Sequence, residues 1–212
     1  MKLDWRHALA VYIAFTLVFT LPTIGAPVAA LTGNDAAASV LYNAAAPLCH
    51  QWIYRSHCIF STQSGWMIDD CIPAGHEGKA VIATKYTSAT HAYDGVFEYS
   101  RQQVGRNRAE YVERDGMFGY KLAVCTRDSA MYLGMLAAAL VFALFRTRMR
   151  GVPHIGYLLL GLVPMGIDGT AQLFGLWEST QLSRIVTGAI AGLAIGIYIV
   201  LLLNEMFAQR KK

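Results

Sequence analysis

Long apolar stretches alternate with one polar block along this chain. The apolar stretches cover residues 8–31, 129–145, 155 to about 176, and 185–204. A membrane-spanning helix needs about 20 mostly apolar residues, so each stretch predicts one span. The pattern therefore predicts an all-α membrane fold with four transmembrane helices.

The polar block between the first two spans predicts a small extracytoplasmic α/β or β-hairpin insertion. Residues 36–48 are apolar but too short to span, which indicates an interfacial or re-entrant helix ending at Pro47. The segments VIATKY and GVFEYS and the turn residues at 93–95 and 114–116 predict two to four short strands within 65–121. We therefore divide the chain into helix 1 (1–31), the extracytoplasmic region (32–128) and helices 2–4 (129–212).

The charges follow the same division. The chain is 55% hydrophobic and 15% charged, against about 25% charged residues in soluble domains. Residues 32–128 hold 9 of the 18 basic and 10 of the 14 acidic residues. This pattern excludes a disordered chain, an ordinary cytosolic enzyme and a basic nucleic-acid-binding surface. The expected partner is the lipid bilayer.

The remaining basic residues predict the orientation. They cluster before the first span, after the second and after the fourth: Lys2, Arg6, Arg146, Arg148, Arg150, Arg210, Lys211 and Lys212. Positive residues stay on the cytoplasmic side, so we expect a multi-pass protein of the cytoplasmic membrane with both termini in the cytoplasm. The alternative is that residues 1–30 form a cleaved signal peptide, although the apolar stretch is long for one and contains Pro22 and Pro27.

All four cysteines lie in the polar block: Cys49, Cys58, Cys71 and Cys125. If the block faces an oxidising compartment, the simplest expectation is two disulfides, for which three pairings exist. A mixed arrangement is also open, with a Cys58–Cys71 disulfide and two reactive cysteines. His57, beside Cys58, is expected on a solvated loop.

A metal site is the alternative use of these cysteines. Cys49, His50, Cys125 and Asp128 supply mixed sulfur, nitrogen and oxygen ligands, which suit a transition metal such as zinc, copper or iron. This spacing is not a strong zinc pattern, because two adjacent residues both ligate only where the backbone turns.

Asp168 lies inside the third apolar stretch. An ionised carboxylate within a span is costly unless it is paired or hydrated, and such residues usually mark function. Gln172 lies four residues later on the same helix face, and Pro164 four residues earlier permits a kink.

The fourth span carries a matching face, on which Arg184 precedes glycines at intervals of four residues: Gly188, Gly192 and Gly196. Small residues at this spacing let another helix approach closely, within the chain, in a homo-oligomer or in a larger membrane complex. We expect Arg184 to pair with Asp168 or with Glu178.

The polar groups are expected to converge on one outward-facing pocket. The candidates for proton transfer or catalysis are His50, Asp168, Glu178 and Arg184. The candidates for ligand binding are Gln51, Arg55, Arg127 and Gln172.

Three segments resemble the DUF2085 family of bacterial and archaeal membrane proteins. They are LCHQWIYRS (48–56), VCTRDSAMYLG (124–134) and PMGIDGTAQLFGLWESTQLSRIVTGAIAG (164–192). The resemblance covers roughly the C-terminal 90 residues and the short Cys-His-Gln stretch. It implies a small multi-span protein with these candidate sites, and it implies no particular reaction.

Three functions remain open at this point. The first is metal handling or thiol redox chemistry at the outer surface. The second is a membrane-embedded enzyme or carrier for a lipid or quinone, in which Arg127 and Arg184 hold an anionic headgroup while Asp168, Glu178 or His50 transfers protons. The third is a non-catalytic subunit of a larger membrane complex, stabilised by disulfides.

Overall fold

The computed structural model describes residues 5–48, 55–72, 81–84, 90–92, 110–114, 116–145 and 151–209. Within these ranges the chain forms helices and one antiparallel sheet. The helices are α1 (Trp5–Leu31), α2 (Asp35–Ala45), α3 (Thr126–Phe145), α4 (Ile155–Leu173) and α5 (Gln181–Gln209), and a 3-10 turn covers Ala46–Leu48. The strands are β1 (His57–Thr62), β2 (Gly65–Asp70), β3 (Val81–Thr84), β4 (Thr90–Ala92), β5 (Glu110–Arg114) and β6 (Met117–Lys121).

Three of the described helices are long and apolar enough to cross a membrane: α1, α3 and the Gln181–Phe207 part of α5. They correspond to the first, second and fourth predicted spans. The third predicted span forms α4, whose 19 residues include Asp168 and Gln172. Helix α4 is not among the three, because these polar residues lower its apolarity.

The chain divides into two compact units. The helical unit contains Met1–Thr20 and Arg127–Lys212, and the sheet unit contains Leu21–Thr126. Helix α1 contributes its first part to the helical unit and its last part to the sheet unit. Each unit has its own packing.

In the helical unit, the glycines of α5 let its backbone approach α3. A Cβ atom added at Gly188 would collide with the carbonyl oxygen of Arg127, and one added at Gly192 would collide with that of Met131. On the facing helix, a Cβ at Gly134 would lie 2.7 Å from the carbonyl oxygen of Ala189. The predicted close approach is therefore made inside the chain. These contacts account for the glycine spacing within the chain, and an oligomer or larger complex through the same glycines stays a prediction.

Below the glycines lies a buried apolar core: Tyr12, Ala138, Ala139, Phe142, Val200 and Leu201. The Tyr12 hydroxyl donates a hydrogen bond to the carbonyl oxygen of Met135. An apolar environment makes an unsatisfied hydroxyl costly, so this bond lets a tyrosine lie in the core.

The sheet unit contains one sheet with the strand order β2-β1-β6-β5-β3-β4, in which all neighbours are antiparallel. Among the described residues, five of the six strands, β2 to β6, lie within 65–121, one more than the upper limit of two to four that we expected there. Gly116, at φ 72°, lies in the predicted turn between β5 and β6. The GVFEYS segment and the turn at 93–95 lie outside the described residues.

A disulfide joins Cys58 on β1 to Cys71 directly after β2, with a Cα–Cα distance of 4.9 Å. One of the predicted pairings is therefore confirmed. His57 begins β1 and is half-buried, so the expectation of a solvated loop was wrong. Its Nδ1 lies 2.6 Å from Thr126 Oγ1, and its Nε2 lies 3.2 Å from Asp70 Oδ1.

A proline in the last part of α1 explains how this helix is hydrogen-bonded to the segment after β6. Pro27 has no N–H, so the carbonyl oxygen of Thr23 lacks its usual helical donor. The N–H of Ala123, directly beyond β6, donates to that oxygen at 3.2 Å. The segment after β6 thereby satisfies the helix position that Pro27 leaves open.

Candidate functional site

Arg127 and Asp168 form an ion pair in the helical unit. Arg127 is the second residue of α3, and Asp168 lies in the C-terminal part of α4. Nη2 of Arg127 donates to Oδ2 of Asp168 and also to Oγ of Ser179, at 3.2 Å. The side chains are only 17% and 10% exposed, so water screens their attraction weakly.

The second carboxylate oxygen of Asp168 is also occupied. Oδ1 accepts a hydrogen bond from the Ser179 hydroxyl at 2.9 Å and one from Nε1 of Trp177 at 3.3 Å. We call Arg127, Asp168, Trp177 and Ser179 the Asp168 cluster. These partners explain how an ionised carboxylate is tolerated at this position.

A second ion pair lies in the same unit. Oε1 of Glu178 accepts from Nη2 of Arg184 at 2.7 Å and from Nε2 of Gln172 at 2.5 Å. The Arg184 side chain is 3% exposed, whereas that of Glu178 is 49% exposed. We call Gln172, Glu178 and Arg184 the Glu178 cluster. Because Glu178 and Ser179 are adjacent, the two clusters are joined through one loop.

Local sequence fixes that loop, residues 174–180. Helix α4 ends in a Schellman motif, with Gly175 at φ 69°. Thr180 caps the start of α5, because its hydroxyl accepts from the N–H of Ser183 at 3.1 Å. Gly175 ends α4 and Thr180 caps the start of α5. Trp177, Glu178 and Ser179 are therefore held in a short loop between the two helix ends.

The pairing differs in part from the sequence expectation. The Glu178–Arg184 alternative is confirmed, but Asp168 pairs with Arg127 rather than with Arg184. Arg184 is the closer of the two arginines to Asp168 in sequence. Arg127 is 41 residues away from Asp168 and lies on α3. The sequence contained one indication of the Arg127–Asp168 pair. Arg127 lies at the start of the second predicted span, which is expected at the same end of the fold as Glu178.

One donor of Arg127 remains available. Its Nε is buried and has no hydrogen-bond partner within the described part of the chain. The two clusters contain two arginines and two carboxylates, so their formal charges cancel. The arrangement can hold an oxyanion only if the anion competes with a carboxylate for a guanidinium.

The proposed metal ligands are described only in part. Cys125 is half-buried just before α3, and Asp128 is half-buried in the first turn of that helix. Cys49, His50 and Gln51 lie outside the described residues. Across the ranges that the structure describes, no group of three or more His, Cys, Asp or Glu residues is placed to hold a metal ion. Arg55 is half-buried directly before β1, in the sheet unit.

Comparison with known proteins identifies the family. The model for "Predicted membrane protein (DUF2085)" matches residues 116–198. An uncharacterized protein of Methanothermobacter thermautotrophicus is 33% identical over 79 residues, which are 37% of this chain and 70% of that protein. The chain belongs to the DUF2085 family. Both clusters lie inside the matched range, whereas the Cys58–Cys71 disulfide precedes it.

A second relative matches a longer segment. An uncharacterized protein of Methanocaldococcus jannaschii is 37% identical over 97 residues, which are 45% of this chain. The match spans 62% of that relative's length. No solved structure matches the chain.

Proposed function

We propose that this DUF2085 protein binds the anionic headgroup of a membrane amphiphile at the Asp168 cluster. The observation that carries the proposal is the Nε of Arg127, which is buried and has no acceptor among the described residues. Arginine suits this task, because its planar guanidinium keeps its charge and matches the oxygens of phosphates and carboxylates.

Asp168 gives the site a second property. An oxyanion that binds Arg127 competes with Asp168 for the same positive charge. A displaced carboxylate in a poorly hydrated site favours its protonated form. We therefore propose that Asp168 takes up a proton when the anion binds.

The Glu178 cluster provides the second arginine. The side chain of Glu178 is half-exposed, so it can turn away from Arg184 at lower cost than a buried carboxylate can. Arg184 then contacts the same headgroup, while Gln172 offers an amide donor. His50, Gln51 and Arg55 remain proposed contributors, and a quinone remains an alternative ligand class.

A double variant separates ligand binding from structural support. Arg127→Gln/Asp168→Asn removes both charges together, so no buried charge is left unpaired. Arg6→Gln is the matched control, because it removes one positive charge from an exposed arginine on α1. Native mass spectrometry of each purified full chain, incubated with phosphatidylglycerol, phosphatidylcholine or inorganic phosphate, reports the bound species.

We expect the natural chain and Arg6→Gln to retain phosphatidylglycerol in preference to phosphatidylcholine. The double variant loses at least about tenfold in affinity, which corresponds to about 1.4 kcal/mol. Unchanged retention by the folded double variant contradicts the proposal. Equal binding of inorganic phosphate to the natural chain identifies a free anion as the ligand instead.

A metal or thiol site is the second candidate function. The Cys58–Cys71 disulfide uses two of the four cysteines, which makes Cys49 and Cys125 the remaining pair. With His50 and Asp128 they form the proposed ligand set for zinc, copper or iron. Thiol counting on non-reduced protein, together with elemental analysis, tests this function, and protein with neither free thiols nor bound metal contradicts it.

A further inference from the structure

The last residue of α4 and the loop that follows it expose large apolar side chains close together in sequence. They are Leu173, Phe174, Leu176 and Trp177, and each is at least 50% exposed. We call these four residues the apolar loop surface. Polar residues normally dominate a helix–helix loop that faces water, and a continuous apolar surface of this kind marks an interaction site.

The backbone of this loop satisfies its own donors. The Schellman turn uses three consecutive N–H groups, because Phe174, Gly175 and Leu176 donate to the carbonyl oxygens of Thr170, Gln172 and Ala171 at 3.0, 3.2 and 2.9 Å. Exposed backbone donors are costly in a medium without water. The tip of the loop can therefore enter an apolar medium without leaving these donors unsatisfied.

The polar atom of Trp177 is also satisfied from within the protein. Its indole N–H donates to Oδ1 of Asp168 at 3.3 Å. The ring is half-exposed, so its apolar surface is presented outward while its polar atom faces the helical unit. Tryptophan side chains of this amphipathic kind are enriched where membrane proteins meet the boundary between acyl chains and headgroups.

The apolar loop surface continues onto a candidate span. Helix α5 begins at Gln181, and its first two turns expose Leu182, Ile185 and Val186. Its apolar part, Gln181–Phe207, has 27 residues, which reach about 40 Å at about 1.5 Å per residue. The hydrocarbon core of a bilayer is about 30 Å thick, so the ends of such a helix lie in the interfacial layers.

We propose that the apolar loop surface inserts into the interfacial layer of the lipid bilayer. The partner is the boundary between headgroups and acyl chains, and the contact is continuous with the lipid-facing side of α5. Insertion does not depend on headgroup binding, because it follows from the exposure and the internal hydrogen bonds of the loop. The Trp177–Asp168 hydrogen bond then connects the inserted loop directly to the Asp168 cluster.

The fluorescence of Trp177 itself reports whether the loop is inserted. The full chain with Trp5, Trp52 and Trp66 replaced by phenylalanine retains only this tryptophan. It is reconstituted into phosphatidylcholine vesicles that carry bromines at shallow or deep acyl positions, and its fluorescence is also titrated with aqueous iodide. The natural chain and Trp177→Phe provide a second comparison, since their difference reports Trp177 even if the triple replacement fails to fold.

We expect shallow bromines to quench Trp177 more than deep ones, and iodide to quench it several-fold less than it quenches free tryptophan amide. Full iodide quenching without bromine quenching would overturn the proposal, because the loop would then face water. Protection from both quenchers would overturn it too, because another protein surface would then cover the loop.

Discussion

At the scale of single residues, Asp168 has more partners than a structural ion pair requires. It accepts from Arg127, Trp177 and Ser179, which come from α3 and from the loop after α4. The adjacent loop residue of Ser179 is Glu178, whose carboxylate pairs with Arg184. An anion that takes Arg127 away from Asp168 leaves that carboxylate with two neutral donors, and this exchange links binding to protonation.

The linkage predicts how binding depends on pH. If Asp168 gains a proton when the anion binds, the complex holds more protons than the free protein, so affinity rises as pH falls. We expect phosphatidylglycerol, whose phosphodiester stays ionised, to bind more tightly at about pH 5 than at about pH 8. Microscale thermophoresis of the detergent-solubilised chain measures the dissociation constants.

Asp168→Asn is the control for this prediction. An amide cannot take up the proton, so the affinity of the variant should no longer change with pH in this range. A natural chain with pH-independent binding, or a variant that keeps the full dependence, would show that Asp168 does not supply the proton site.

At the scale of elements, glycine positions determine how α3 and α5 pack. Gly192 approaches the backbone of Met131 so closely that no Cβ fits without displacement of α3. Gly166 on α4 is exposed and has open space around its position. The two glycines therefore provide a matched pair of helical sites.

Gly192→Ala should destabilise the protein by about 1–3 kcal/mol, because the added methyl group overpacks the α3–α5 contact. Gly166→Ala should leave stability unchanged or raise it slightly, since alanine is the better helix former. Thermal unfolding of both variants in the same detergent checks the prediction. Equal melting temperatures for the two variants would mean that α3 and α5 do not pack through Gly192.

The elements also show what the sequence could and could not predict. Helices α1, α3 and α5 were predictable because uncharged stretches of sufficient length have few other structures available in a membrane. Strand β1 was not predicted, although the segment HCIFST contains residues typical of strands, because its place in the sheet depends on pairing with β6, which is distant in sequence. The partner of Asp168 could not be deduced from spacing, since it depends on how α3 packs beside α4.

At the scale of the whole molecule, the membrane topology depends on whether α4 crosses the bilayer. Three described helices qualify as spans by length and apolarity, and an odd number of spans places the two termini on opposite sides of the membrane. If α4 also crosses, there are four spans and both termini share one side. We propose the four-span arrangement with both termini in the cytoplasm, since the basic clusters then share one side.

Reporter fusions test the number of spans. Alkaline phosphatase and green fluorescent protein fused in turn to the C-terminus should give fluorescence without phosphatase activity, which places that end in the cytoplasm. The same pair fused after residue 176 should give phosphatase activity, because the loop after α4 then lies outside. A cytoplasmic result at both fusion points would show that α4 does not cross.

The central claim is that the Asp168 cluster holds an anionic headgroup, and photo-crosslinking tests it most directly. A phosphatidylglycerol analogue with a photoreactive group on its headgroup is added to the reconstituted full chain, and labelled peptides are mapped by mass spectrometry. We predict labelling at residues 124–131 and 177–184, which excess phosphatidylglycerol suppresses and excess phosphatidylcholine does not. Labelling that avoids both segments, or that both lipids suppress equally, would contradict the claim.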